Sequence, residues 1–234
     1  MVWTINVVKG PASGGSLKVN GLLTLHNSGD APAPIGNIVI NLTHGQGDWG
    51  DPRTAAAGIL NSNFGVVYLS SFGVVEVGIP GTAGFSMTFD GAPSVLEYLP
   101  AAGPIGPLTA DLVDPTSTAS GAFGGNVLAL RLNVDFSAAG VLGGTGGHFG
   151  DLKLCNFTNA QPLGFSCDAL TQAQADALNG QAVAQVLAEA NTVLGGGTET
   201  YGLTLCQLDT LVGELSRSFF IFLCAGAPLP ALTE

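Results

Sequence analysis

Over the first 150 residues, apolar positions tend to fall on every second residue. Trp3, Ile5 and Val7 alternate with Thr4 and Asn6, and a period of two puts all three on one face of an N-terminal strand. Residues 16–27 (SLKVNGLLTLHN) continue the pattern through Leu17, Val19, Leu23 and Leu25. In residues 35–43, Ile38 and Ile40 face opposite to Val39 and Asn41. NSGDAPAP (27–34) separates these two runs and reads as a turn. Asn27 and Asp30 can bond their own backbone, Gly29 supplies a positive φ, and Pro32 and Pro34 end the hydrogen-bond ladder.

Further strands are predicted at 64–79, 84–91, 94–99, 108–114 and 126–138. In the last of these, Leu128, Leu130, Leu132, Val134 and Phe136 form an apolar face opposite Arg131, Asn133 and Asp135. Short strands punctuated by Gly and Pro predict a mainly β fold: one immunoglobulin-like or jelly-roll β-sandwich domain spanning 1–234.

The pattern changes in the last third. Within 170–194, Val183, Val186, Leu187, Ala190 and Leu194 fall at helical spacing, and the glycines at 195–197 stop the run. Leu205, Leu208, Leu211, Val212 and Leu215 form a second helical stripe. Residues 168–216 therefore read as a helical insertion packed on the sandwich rather than a separate domain. SFFIFLC (218–224), with Phe220 and Phe222, is the most β-prone run and is expected to be a central or an intersubunit strand. The Pro-punctuated tail after it carries Leu229 and Leu232.

Composition narrows the function. Charged residues make up only 10% of the chain, where roughly 25% is usual, so much of the surface must be small and weakly polar. Such a surface is poorly defended against association. The net charge of −11 and six scattered Lys and Arg leave no phosphate-binding patch, which argues against nucleic acid and anionic membranes as partners. No apolar run reaches the roughly 18 residues of a spanning helix, so no membrane insertion is expected. The first residues lack a charged-then-apolar leader, and the expectation is that an export signal has been removed.

Four cysteines, Cys155, Cys167, Cys206 and Cys224, lack zinc-site spacing, and their even number fits an oxidising compartment. Three pairings are open; the sequence-local one, Cys155 with Cys167 and Cys206 with Cys224, is preferred. No cofactor is implied. In the loop HGQGDWGDP (44–52), Asp48 and Asp51 are candidate calcium ligands, and Trp49 is a candidate platform for a sugar ring. The plainer alternative is a solvated turn with a half-buried Trp. GTGGHFGD (144–151) lacks the ending of a phosphate loop. No nucleophile or metalloprotease motif is present, and the chain is expected not to be an enzyme. A glycoside hydrolase using Glu76 and Glu97 is the minority alternative.

TLHNSGDAPAPIGNIVINL (24–42) resembles the strand, Asn-x-Gly-Asp, strand passage of bacterial cell-surface immunoglobulin-like domains of secreted and envelope proteins. LRLNVDFSAAG, GDLKLC and AVAQVLAEANTVLGGG resemble parts of secreted bacterial proteins that join such a sandwich to a short helical segment. The resemblance spans residues 1–45 and 126–196. It implies a location outside the cytoplasm and a structural or adhesive role, and it brings no catalytic residues.

These readings combine into an expected function: an extracellular, non-enzymatic subunit of a surface fibre, filament or layer whose partners are copies of itself. Trp3, Ile5, Val7, Phe220, Phe222, Leu229 and Leu232 are the candidate assembly residues. Strand exchange between subunits and ordinary intrachain pairing of both ends stay open. The alternative is an adhesin module binding a carbohydrate or host surface through Trp49, with or without calcium.

Overall fold

The computed structural model describes residues 43–142, 148–155, 157–160, 163, 167–217 and 223–224, all within one compact unit, Asn41–Glu234. In chain order its elements are α1 (Gln46–Gly50), α2 (Ala55–Val67), β1 (Val75–Gly78), β2 (Ser86–Phe89), α3 (Ala92–Tyr98), β3 (Leu112–Val113), α4 (Gly121–Ala138), β4 (Lys153–Leu154), α5 (Gln172–Leu178), α6 (Val183–Leu194), α7 (Leu205–Arg217) and β5 (Leu223–Cys224).

This overturns the expected β-sandwich, whether immunoglobulin-like or jelly-roll. About 51% of the described residues are helical and only 9% lie in strands. The largest sheet among them has three short strands in the order β1-β2-β3, with β1 antiparallel and β3 parallel to β2.

The organising element is α4, the segment expected to be the clearest strand. Leu128, Leu130, Leu132 and Phe136 are buried as predicted, but so are Val127, Ala129 and Asn133 between them. A helix covered on nearly all sides has no 3.6-residue stripe, so a chance alternation of Leu with other residues imitates a strand. The helix is packed by α1, α6, α7, β1 and the single turn Phe149–Asp151. Each buried Leu or Phe contributes about 1.5–3 kcal/mol.

The α4–α7 crossing is close because α7 presents Gly213 there. A Cβ on Gly213 would lie 3.1 Å from Asn126 Nδ2. On α7 the stripe Leu208, Leu211, Val212 and Leu215 is buried, as is Val183, Val186, Leu187, Ala190 and Leu194 on α6. Both apolar stripes read as helical therefore form helices.

Other strand expectations divide. Residues 84–91 contain β2, and 108–114 contain the two-residue β3. Residues 64–79 instead hold the end of α2, a 3₁₀ turn (Leu69–Ser71) and then β1. Residues 94–99 belong mostly to α3, whose Val95 and Tyr98 face the core one turn apart. Intrinsic β preference yields in each case to the burial that a helical period achieves.

Candidate functional site

β1 is an edge strand. Val75 and Val77, with Met87 and Phe89 of β2, face the core, whereas Glu76 stands on the other face. Ile79 N–H donates to the Phe85 carbonyl, so by alternation the main-chain groups of Glu76 and Gly78 point away from β2. Two helices complete this open edge with side chains. Asn191 of α6 accepts from Gly78 N–H through Oδ1 at 2.8 Å, and Arg131 of α4 donates from Nη1 to the Glu76 carbonyl at 3.4 Å.

Beside that edge lies a cleft of about 590 Å³. Its walls include Val74, Ile79 and Pro80 on one side and Ala188 of α6 on the other, with Glu76 and Arg131 inside. Arg131 also donates from Nε to Asp135 one turn along α4, and Glu76 Oε1 accepts from the Ser86 hydroxyl at 2.7 Å. Burial alone would lower the Arg131 pKa, but Asp135, Tyr68 and Glu76 together raise it above its ordinary value. The Tyr68 hydroxyl is buried near Asp135 without a well-formed hydrogen bond among the described residues. Burial first, then the Asp135 charge, pushes the phenol well above its usual pKa.

Phe72 stands at the rim of the cleft. It is 99% exposed and has φ +57°, the left-handed region that costs a residue with a side chain roughly 1–2 kcal/mol. Val66 and Leu69 of the same segment are 72% and 77% exposed. A large apolar side chain that is both strained and solvent-exposed adds nothing to folding, and such outliers gather at binding sites.

The residues singled out from sequence are placed differently. Trp49 is fully buried, not a platform: its ring meets His44 at 5.2 Å and Phe136 at 5.4 Å, both edge-on, and among the described residues its Nε1 has no hydrogen-bond partner. The loop containing it is the short helix α1, not a solvated turn. Asp48 accepts from Gly45 N–H, and Asp51 is held by Arg53 through Nε at 2.9 Å and Nη2 at 2.7 Å. That contact, through its side-chain hydrogen bond above all, brings the Asp51 pKa down to about 2. Among the described residues no three His, Cys, Asp or Glu gather to hold a metal ion, and Asp48 and Asp51 are no exception. Glu97 is exposed on α3 and does not line the cleft that contains Glu76.

The preferred cysteine pairing is also replaced. Cys167 bonds Cys206, across 39 residues, tying the segment before α5 to the start of α7; Cys155 is disulfide-bonded as well. Trp3, Ile5, Val7, Phe220, Phe222, Leu229 and Leu232 lie outside the described residues.

Two interior groups escaped the sequence reading. Asn133, placed on a solvent face by the strand period, is fully buried. Gln46 donates to Asn126 at 3.1 Å, and Asn126 donates to Asp209 at 2.8 Å, linking α1, α4 and α7. Burial raises the Asp209 pKa despite the Asn126 hydrogen bond. Polar residues inside a long apolar run, such as Asn126, Arg131 and Asn133, are the signal for both: in a helix of this length some must point inward and find partners. Phe72 is marked only by the Phe-Gly pair at a turn.

No family model, curated protein or solved structure matches the chain.

Proposed function

We propose that this chain is a secreted or surface-exposed, non-enzymatic subunit that associates with copies of itself to build an extracellular fibre or layer. The observation carrying this reading is Phe72, strained and 99% exposed, with Leu69 and Val66 exposed in the same segment. Burying three such side chains between subunits contributes about 1.5–3 kcal/mol apiece, and more if the contact is well packed. The low charge content supports the same reading, because few ionised groups on either copy need to be desolvated when two surfaces meet. The bonded cysteines Cys155, Cys167 and Cys206 support an oxidising compartment and hence a location outside the cytoplasm.

Absence of a spanning helix among the described residues fits a subunit that is not inserted in a bilayer by that route. The alternating residues Trp3, Ile5 and Val7 and the apolar Phe220 and Phe222 offer a second contact, by strand addition, that can extend a chain of subunits. Sedimentation velocity over a concentration series tests the reading. The native chain is expected to form reversible larger species, and Leu69→Ser with Phe72→Ser to shift them toward monomer. A native chain that stays monomeric throughout contradicts it.

A further inference from the structure

The cleft beside β1 has a chemistry that self-association does not use. Its main-chain edge is already closed, since Asn191 and Arg131 occupy the positions where an added strand would bond. It is therefore not a seat for an extended peptide. What remains open are side-chain groups. Glu76 Oε2 and Arg131 Nη2 make no hydrogen bond among the described residues, so the same cleft keeps one acceptor and one donor unengaged.

Charge decides what these groups can take. Arg131 is already matched by Asp135, and Glu76 adds a second carboxylate, so an anion finds no net positive field. A cation meets the guanidinium beside Glu76. The two groups suit a neutral molecule that presents both donors and acceptors, which is what the hydroxyls of a sugar ring do. The remaining surface fits the rest of such a molecule: Val74, Ile79 and Pro80 form an apolar wall, and the exposed Phe72 ring at the rim is a face on which the C–H side of a sugar ring can lie. About 590 Å³ falls within the range of roughly 300–1,000 Å³ typical of small-molecule sites.

We propose that this cleft is a binding site for a neutral saccharide, with Glu76 accepting from one hydroxyl, Arg131 donating to another, and Phe72 stacking on the ring. The sugar site thus lies on β1 and α4, not at the buried Trp49. It goes beyond the self-association reading and shares only Phe72 with it; Leu69 belongs to association alone and Glu76 to the saccharide alone.

The test uses the purified full chain with saturation-transfer NMR against maltose, cellobiose, lactose and chitobiose, with glucuronate and glucosamine as charged comparators, and co-sedimentation with insoluble cellulose and chitin as polymers. The disaccharides report a terminal unit and the polymers an internal one. Binding of at least one neutral saccharide is expected, weaker for the charged comparators. It should fall roughly tenfold or more in Glu76→Gln, which removes a charged acceptor, and in Phe72→Ser. Leu69→Ser should leave it unchanged. Phe72→Ser alters a fully exposed side chain and so keeps the test decisive if Glu76→Gln fails to fold. No binding of any neutral sugar or polymer overturns the proposal, as does binding that survives both Glu76→Gln and Phe72→Ser.

Discussion

Asn133 holds both main-chain groups of His44: His44 N–H donates to Asn133 Oδ1, and Asn133 Nδ2 donates to the His44 carbonyl, each at 2.8 Å. A side chain on the central helix thereby acts as a strand partner for the segment entering α1. Asn133 is fully buried, so the clamp is made from inside the core and its loss removes both bonds at once.

Asn133→Leu keeps the branched shape but leaves the half-buried His44 N–H and C=O without these partners. A loss of ~2–4 kcal/mol is expected in urea denaturation. A loss below about 0.5 kcal/mol contradicts the clamp, because a change of that size is ordinary for a surface site.

His44 couples this region to pH. Burial lowers its pKa below the ordinary 6.5, outweighing the upward pull of Asp48. The folded chain then holds a neutral ring where the unfolded chain already binds a proton. The stabilisation is complete above pH 6.5 and is lost as the pH falls from there through the folded pKa. Between about pH 8 and pH 5 the melting temperature of the native chain should fall further than that of His44→Asn, which cannot titrate. Equal falls contradict the assignment.

The pattern of the sequence was most legible where a helix has one wet side. The Val183-to-Leu194 and Leu205-to-Leu215 stripes, and the Gly195 stop, announce α6 and α7 because solvent enforces a 3.6-residue period there. It misled where burial removes the period. α4 is covered on most sides, so Leu128, Leu130 and Leu132 imitate a strand, although the run is longer than most strands. The site suffered from the same error: a strand period turns Arg131 and Asn133 outward together, whereas the helix sends one into the cleft and the other into the core. Trp49 was misplaced because its Gly-rich surroundings resemble a loop, yet one of those glycines, Gly50, allows α1 to pack closely. A Cβ on Gly50 would fall 2.1 Å from the Leu99 carbonyl oxygen.

The Cys167–Cys206 bond closes a loop of 39 residues, for which the chain-entropy model gives ~3–4 kcal/mol. Cys167→Ser with Cys206→Ser should lower the unfolding free energy by about that amount, with far-ultraviolet circular dichroism retained at low temperature. An unchanged denaturation midpoint contradicts a structural role for the bond.

Phe72 should behave opposite to a core phenylalanine. Phe72→Gly removes the left-handed strain and exposes no new apolar surface, so monomer stability should rise by ~1 kcal/mol or stay level, where a buried Phe would lose ~3–5 kcal/mol. A loss above about 2 kcal/mol shows that the ring packs within its own chain.

Salt separates self-association from ion-pair capture of some other partner. Copies that each carry −11 repel, so contact between them through Leu69 and Phe72 should strengthen as ionic strength rises toward about 0.5 M. Weakening over the same range contradicts a homotypic apolar contact.

The most direct measurement of the central claim is sedimentation velocity of the native chain and the Leu69→Ser, Phe72→Ser variant, side by side over the same concentration series. Concentration-dependent larger species are expected for the native chain, with a shift to monomer for a variant that melts at the same temperature. A monomeric native chain at every concentration, or association untouched by the two substitutions, contradicts it.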